Sequence, residues 1–268
     1  MKLDRRTIGE AVAAIGVVLG FIALWTALYD GASGKYSKDG TVTAAMIILL
    51  GVAGCCLVAS LRGTAKLDLA AAATGAVAFG FFLFVPSVAA FKYVDKLGTG
   101  AWLGVCAGLI PLGAGIAYFA GRGKSNAKAP SVDPASAVAA IGLVLIVAGI
   151  WMAVGDSGVT YWNGSLSGHA LGLLMLLLAI ASALLIVLAI RSQSGCLADL
   201  ALIVACITAG LAMAEGIGDA FGSFDQMGSG AWVELFGGLA LLAGLIGTRT
   251  LKFAPMKKTA APTKKTAK

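Results

Sequence analysis

The sequence predicts an all-α, polytopic membrane protein, with eight transmembrane helices arranged as two tandem, parallel four-helix repeats. Three observations carry that expectation. The chain is 59% hydrophobic and only 12% charged, with a mean hydropathy of +0.93, whereas soluble domains carry about 25% charged residues. Apolar runs near the ~20 residues that a helix needs to cross a bilayer recur along its length. Two stretches of the first half return in the second.

The predicted spans are Ile8–Tyr29, Val42–Leu61, Leu69–Phe91, Ala101–Ala120, Ala137–Val154, Ala170–Ile190, Leu197–Ile217 and Ala231–Ile246. The last is short, and Trp232 with the glycines before it extends it. Gly, Pro, Ser, Asn and Asp fill the connections, as turn chemistry requires. The connection after the fourth span, "GRGKSNAKAPSVDP", is the natural boundary between halves. The expected units are therefore residues 1–125, residues 126–250 and a disordered basic tail, 251–268. Pro111 falls mid-span and Pro86 near one end of the third, and each is expected to kink its helix.

The first repeated stretch is "AVAAIGVVLGFIALWTALYD", Ala11–Asp30, which reappears as "AVAAIGLVLIVAGIWMAVGD", Ala137–Asp156, identical at eleven of twenty positions. The basic start and apolar run of the first span would also suit a signal peptide. Its recurrence inside the chain favours a helix of the mature protein instead. The second stretch, "FKYVDKLGTGAW" at Phe91–Trp102, returns as "FGSFDQMGSGAW" at Phe221–Trp232. The offsets are 126 and 130 residues, so loops of slightly different length account for the difference. Within the second stretch Thr99 and Ser229 are expected N-caps, and the flanking glycines supply unusual backbone conformations. Four crossings per unit make the units point the same way, with the pseudo-symmetry axis along the membrane normal.

Orientation follows from Lys and Arg. With the N-terminus inside, all but four of the twenty (Lys35, Lys38, Lys92, Lys96) fall on the inner side, as the positive-inside rule requires. The same topology brings Trp25, Trp102, Trp151, Trp162 and Trp232 to the outer side, where indole rings suit the headgroup level. The expected location is the plasma (inner) membrane, multi-pass, with both termini cytoplasmic.

Small residues at every fourth position (Gly100, Gly104 and Gly108; Gly16 and Gly20; Gly210, Ala214 and Gly218) offer smooth faces for close helix approach in lipid. Cys55, Cys56, Cys106 and Cys206 lie within apolar runs and Cys196 starts one, which argues against a disulfide framework. The single histidine, His169, leaves few options for a metal, and neither metal nor cofactor is expected.

Ionisable residues at membrane depth are the candidates for function. Glu215, Asp219 four residues on, and Glu234 lie at or near span ends; Asp95 and Asp225, in the wet region of the repeated turn, and His169, nearby in topology, complete the candidate set. Glu234 aligns with Gly104, and Glu215 with Val85, so these acids break the repeat. Two readings compete: an outward acidic pocket that attracts cations or amines, or a solvated rim in which Glu215 and Glu234 reach water. The rim is favoured, because both lie near the predicted interface. Glu10, near the start of the first span, suits a helix N-terminus. No phosphate loop, nucleophile elbow or zincin pattern occurs, so no catalytic residue is named. The expected partners are membrane lipids, with anionic lipid at the Lys-rich tail, and a second copy or other membrane proteins. Nucleic acid is not expected. The expectation for function is a non-enzymatic structural or assembly component. The alternative is a small transporter or channel for cations or amines, with an acidic outward-facing entrance.

Overall fold

A computed structural model describes residues 4–26, 40–61, 65–89, 97–121, 134–153, 160–163, 166–192, 194–222 and 228–250. The elements in them are helices: α1 (Arg5–Trp25), α2 (Gly40–Ser60), α3 (Ala65–Ala89), α4 (Thr99–Cys106), α5 (Leu109–Gly121), α6 (Pro134–Gly149), α7 (Leu166–Ser192), α8 (Gly195–Gly222) and α9 (Ser229–Thr250). Among the described residues, seven stretches are long and apolar enough to cross a membrane, with α4 and α5 together making one of them, Thr99–Gly121. The tail from 251 onward lies outside the described residues.

The chain runs up and down. Residues Arg6, Ser60, Asp68, Tyr118 and Asp199 share one end of the bundle through side-chain bonds. The opposite end gathers all five tryptophans: Trp25 closes α1, Trp102 and Trp232 lie near the starts of α4 and α9, and Trp151 and Trp162 stack on each other. Large apolar side chains cover the outside. On α7, Leu173, Leu177, Ile180, Leu184, Val187 and Leu188 are exposed, while Ser182 on the same helix is fully buried. In water such stripes would drive aggregation, whereas in hydrocarbon they are the expected surface.

Backbone contact, made possible by glycine, holds the helices together. A Cβ on Gly9 would lie 2.6 Å from the Gly113 carbonyl oxygen, and one on Gly113 would collide with the Ala13 amide, so α1 and α5 touch main chain to main chain. α6 and α9 do the same: a Cβ on Gly142 would lie 2.7 Å from the Gly237 carbonyl oxygen, and one on Gly244 would lie 2.6 Å from that of Ala135. α3 and α8 cross where a Cβ on Gly80 would lie 2.6 Å from the Leu211 amide nitrogen and Gly210 abuts Val77. Apolar burial gives helices no reason to associate in lipid, so packing this close is what does so. At Gly104 and Gly108 the expected helix contact is instead a ring contact. Phe82 lies 2.7 Å from the Cβ position of the former and Phe79 2.9 Å from that of the latter.

Three expectations change. Thr99 is the first helical residue of α4 rather than its N-cap. The cap is Gly98, whose carbonyl accepts from the Ala101 and Trp102 amides and whose φ of −76° is ordinary extended backbone. Ser229 likewise opens α9, and Gly228 supplies the carbonyl to Trp232. What demands glycine in this turn is close approach: a Cβ on Gly230 would meet three carbonyl oxygens, of Ala153, Gly149 and Met152, at 2.9–3.0 Å. Secondly, α6 ends at Gly149 rather than near Val154. Trp151 and Met152 tighten into a turn, and the released Ala153 carbonyl accepts from the Gly230 amide at 2.6 Å, tying the end of α6 to the start of α9. Thirdly, Pro111 breaks its span outright. It cannot donate to the Ala107 carbonyl, which the Ile110 amide takes instead at 2.9 Å, in a three-residue bond that ends α4 and restarts the chain as α5. The break sets Ile110, fully buried, into the gap that Gly16 and Gly75 leave open.

Candidate functional site

Three carboxylates have essentially no exposure: Asp68 at 0%, Asp199 at 1% and Glu234 at 0%. Each stands within the first two turns of its helix, as the fourth residue of α3, the fifth of α8 and the sixth of α9. There the unpaired amides and the helix dipole favour an anion. That alone does not offset removing a carboxylate from water, and each acid has a partner on another element.

At the end away from the tryptophans, Arg6 joins three helices. Its Nη2 lies 3.2 Å from Asp68 Oδ2 on α3 and donates to the Ser60 carbonyl at the end of α2, at 2.8 Å. Its Nε lies 3.1 Å from Glu10 Oε1, one turn along α1. The planar fork of arginine is suited to such multiple contact, and the point charge of lysine is not. At the same end the Tyr118 hydroxyl of α5 donates to Asp199 Oδ2 of α8 at 2.8 Å. This bond and the Gly80–Gly210 crossing connect the N-terminal and C-terminal helices. Deeper in, the Ser182 and Thr208 hydroxyls bridge α7 and α8 at 3.1 Å.

At the tryptophan end the Tyr161 hydroxyl donates to Glu234 Oε2 at 2.8 Å. The Glu234 stem lies against Gly149 of α6, where a Cβ would strike its Cγ. Tyr161 belongs to a short turn, Thr160–Asn163, braced by its own side chains. Asn163 Oδ1 accepts from the Thr160 amide at 2.6 Å, and Thr160 Oγ1 accepts from the Trp162 and Asn163 amides at 3.2 Å. The Trp162 ring stacks on Trp151 with centroids 5.1 Å apart and approaches the His169 ring at 6.3 Å. His169 Nε2 bonds the Trp162 carbonyl at 2.9 Å.

Of the residues singled out from sequence, Glu234 and His169 meet in this cluster, joined through the Tyr161–Trp162 turn rather than to each other. The solvated-rim reading of Glu234 is overturned: the carboxylate has no exposure, its stem packs on Gly149 of α6, and Tyr161, more than seventy residues away in sequence, donates to it. Glu215 and Asp219 lie on α8, but their side chains are outside the described residues, as are Asp95 and Asp225 altogether. Glu10, expected to complement a helix terminus, is in addition an ion-pair partner of Arg6.

Sequence reasoning missed Asp68, Asp199, Arg6, Tyr118 and Tyr161. One signal was present: each half has an acid at the start of the apolar run that follows Arg62 or Arg191. Among the described residues no three His, Cys, Asp or Glu side chains converge as a metal-binding group. The chemistry the three acids support is charge-assisted tethering: of α3 to α1, of α8 to α5, and of α9 to the Thr160–Asn163 turn. Comparison with protein-family models, curated proteins and solved structures finds no match for this chain.

Proposed function

We propose that this chain is a non-enzymatic structural or assembly component of the plasma (inner) membrane, made of eight crossings in two parallel repeats, residues 1–125 and 126–250. The observation that carries the functional reading is that each buried carboxylate holds a partner on another element: Asp68 with Arg6, Asp199 with Tyr118, Glu234 with Tyr161. Such ties hold a bundle in one arrangement. Membrane lipids are the expected partners, with anionic lipid at the Lys-rich tail and a second copy or other membrane proteins alongside.

Repeated packing supports the duplication. Gly113 against Gly9 and Ala13 has its counterpart in Gly244 against Ala135 and Ala139, and Gly16 against Ile110 in Gly142 against Leu241. Gly80 and Gly210, which meet at the α3–α8 crossing, are 130 residues apart, the offset of the repeated turn. α6, at 16 residues, is the shortest of the crossings this reading needs. Orientation rests on the Lys and Arg bias and predicts that a cysteine placed at Lys268 reacts with an impermeant maleimide only after the cell membrane is opened. Labelling in intact cells would reverse the topology.

The cation or amine transporter is kept as a second reading because Glu234 is a fully buried carboxylate that accepts from the Tyr161 hydroxyl. Flux of protons, monovalent cations and small amines into proteoliposomes separates the two. The structural reading expects wild type, Glu215→Gln and Glu234→Gln to match empty liposomes. A flux that the wild type supports and Glu234→Gln abolishes would replace it with the transporter.

A further inference from the structure

Packing alone does not call for an acid at position 234. In the alignment of the two halves its counterpart is Gly104, where the Phe82 ring fills the space. An apolar solution therefore exists for a comparable slot, and a sealed carboxylate costs stability that an apolar filler does not. The cover over Glu234 is also unlike the rest of the bundle. It is four residues of turn, Thr160–Asn163, and its described contacts are side-chain ones: the Tyr161 hydroxyl to Glu234 and the Tyr161 side chain against Gly172, the His169 ring to the Trp162 carbonyl, and the Trp151–Trp162 stack. None of these contacts is a bond within a helix. The closed arrangement carries a defect as well, since the buried Trp162 Nε1 has no acceptor among the described residues, and an unmet buried donor weakens the state that buries it.

We propose that Thr160–Asn163 is a strap that opens and closes over Glu234. Closed, it holds the carboxylate through Tyr161 and excludes water. Open, it presents the carboxylate to solution at the tryptophan end of the bundle, beside the Trp151 and Trp162 rings. This inference does not depend on the structural or the transport reading. Local opening of a low-stability segment on a stable scaffold is its physical basis.

The test is carboxylate modification of the detergent-solubilised full chain by a water-soluble carbodiimide with an amine nucleophile, quantified peptide by peptide by mass spectrometry. Asp199 is the internal reference, being as sealed as Glu234 in the closed structure but covered by helices. Glu234 should react faster than Asp199 in the wild-type protein. Tyr161→Phe, which keeps the ring and removes the donor, should raise the Glu234 rate about tenfold or more, the effect of losing a hydrogen bond to a charged acceptor. Trp162→Ala should raise it too, and Tyr118→Phe should raise Asp199 alone. Equal rates for Glu234 and Asp199 in wild type mean that only global unfolding exposes them, and overturn the strap. So does a Glu234 rate unchanged in folded Tyr161→Phe and Trp162→Ala. If both variants lose their helical content, the wild-type comparison decides by itself.

Discussion

Arg6→Met should destabilise the protein by about 3–5 kcal/mol, the usual cost of removing one partner from a buried ion pair. Asp68 is completely buried, and its Oδ2 lies 3.2 Å from the Arg6 guanidinium. Without that cation the carboxylate remains in a low-dielectric environment with its charge uncompensated. The Ser60 carbonyl loses its donor in the same step. The double variant Arg6→Met/Asp68→Leu should recover most of the loss, because a fully apolar replacement removes the charge as well as its partner. Arg6→Lys should fall between, since a single ammonium cannot span Glu10, Asp68 and the Ser60 carbonyl as the fork does. SDS-titrated unfolding followed by circular dichroism reads all three. An Arg6→Met protein within about 1 kcal/mol of wild type would show that Asp68 does not depend on this pair.

Gly210→Val should be the most damaging substitution at a glycine, with a cost at or above the roughly 1–3 kcal/mol typical of overpacked cores. A Cβ there would overlap the Val77 carbonyl oxygen and lie 3.0 Å from the Val77 Cα. These are main-chain atoms of α3, which cannot rotate aside as a side chain can. Relief requires α3 and α8 to separate, and with them Gly80 from the Leu211 amide. Gly51 on α2 is the matched control. A Cβ there meets nothing within 4 Å, so Gly51→Ala should be neutral or stabilise by up to about 1 kcal/mol through helix propensity. Comparable losses at both positions in the same SDS titration would mean that glycine matters here for something other than close approach.

Individual residues show how far the sequence could be read. The apolar runs located α2, α3, α7 and α8 directly, because a span long enough for lipid is a local property of composition. Pro111 announced a disturbance in its span, but the break at Ala107–Gly108 depended on which amide would take the orphaned carbonyl. Glu234 was visible as an acid next to an apolar run. Its burial was not, because the residue that donates to it, Tyr161, sits in a separate loop whose position follows from the packing of α6, α7 and α9. Asp68 and Asp199 lay near predicted span boundaries, where an acid ordinarily reaches water. Only their neighbours, Arg6 and Tyr118, drawn from helices distant in sequence, make them interior groups.

The sequence by itself determined that this chain is helical and built for hydrocarbon, because segment length, apolar content and scarcity of charge are additive along the chain. It also carried two recurring stretches, at offsets of 126 and 130 residues, as a pattern of letters. Which glycines touch backbone and which receive a phenyl ring was decided only by the tertiary structure. So was the pairing of each buried acid with a partner helix or turn. Those outcomes depend on where two helices cross, and a crossing is settled by the joint fit of both surfaces rather than by either one alone.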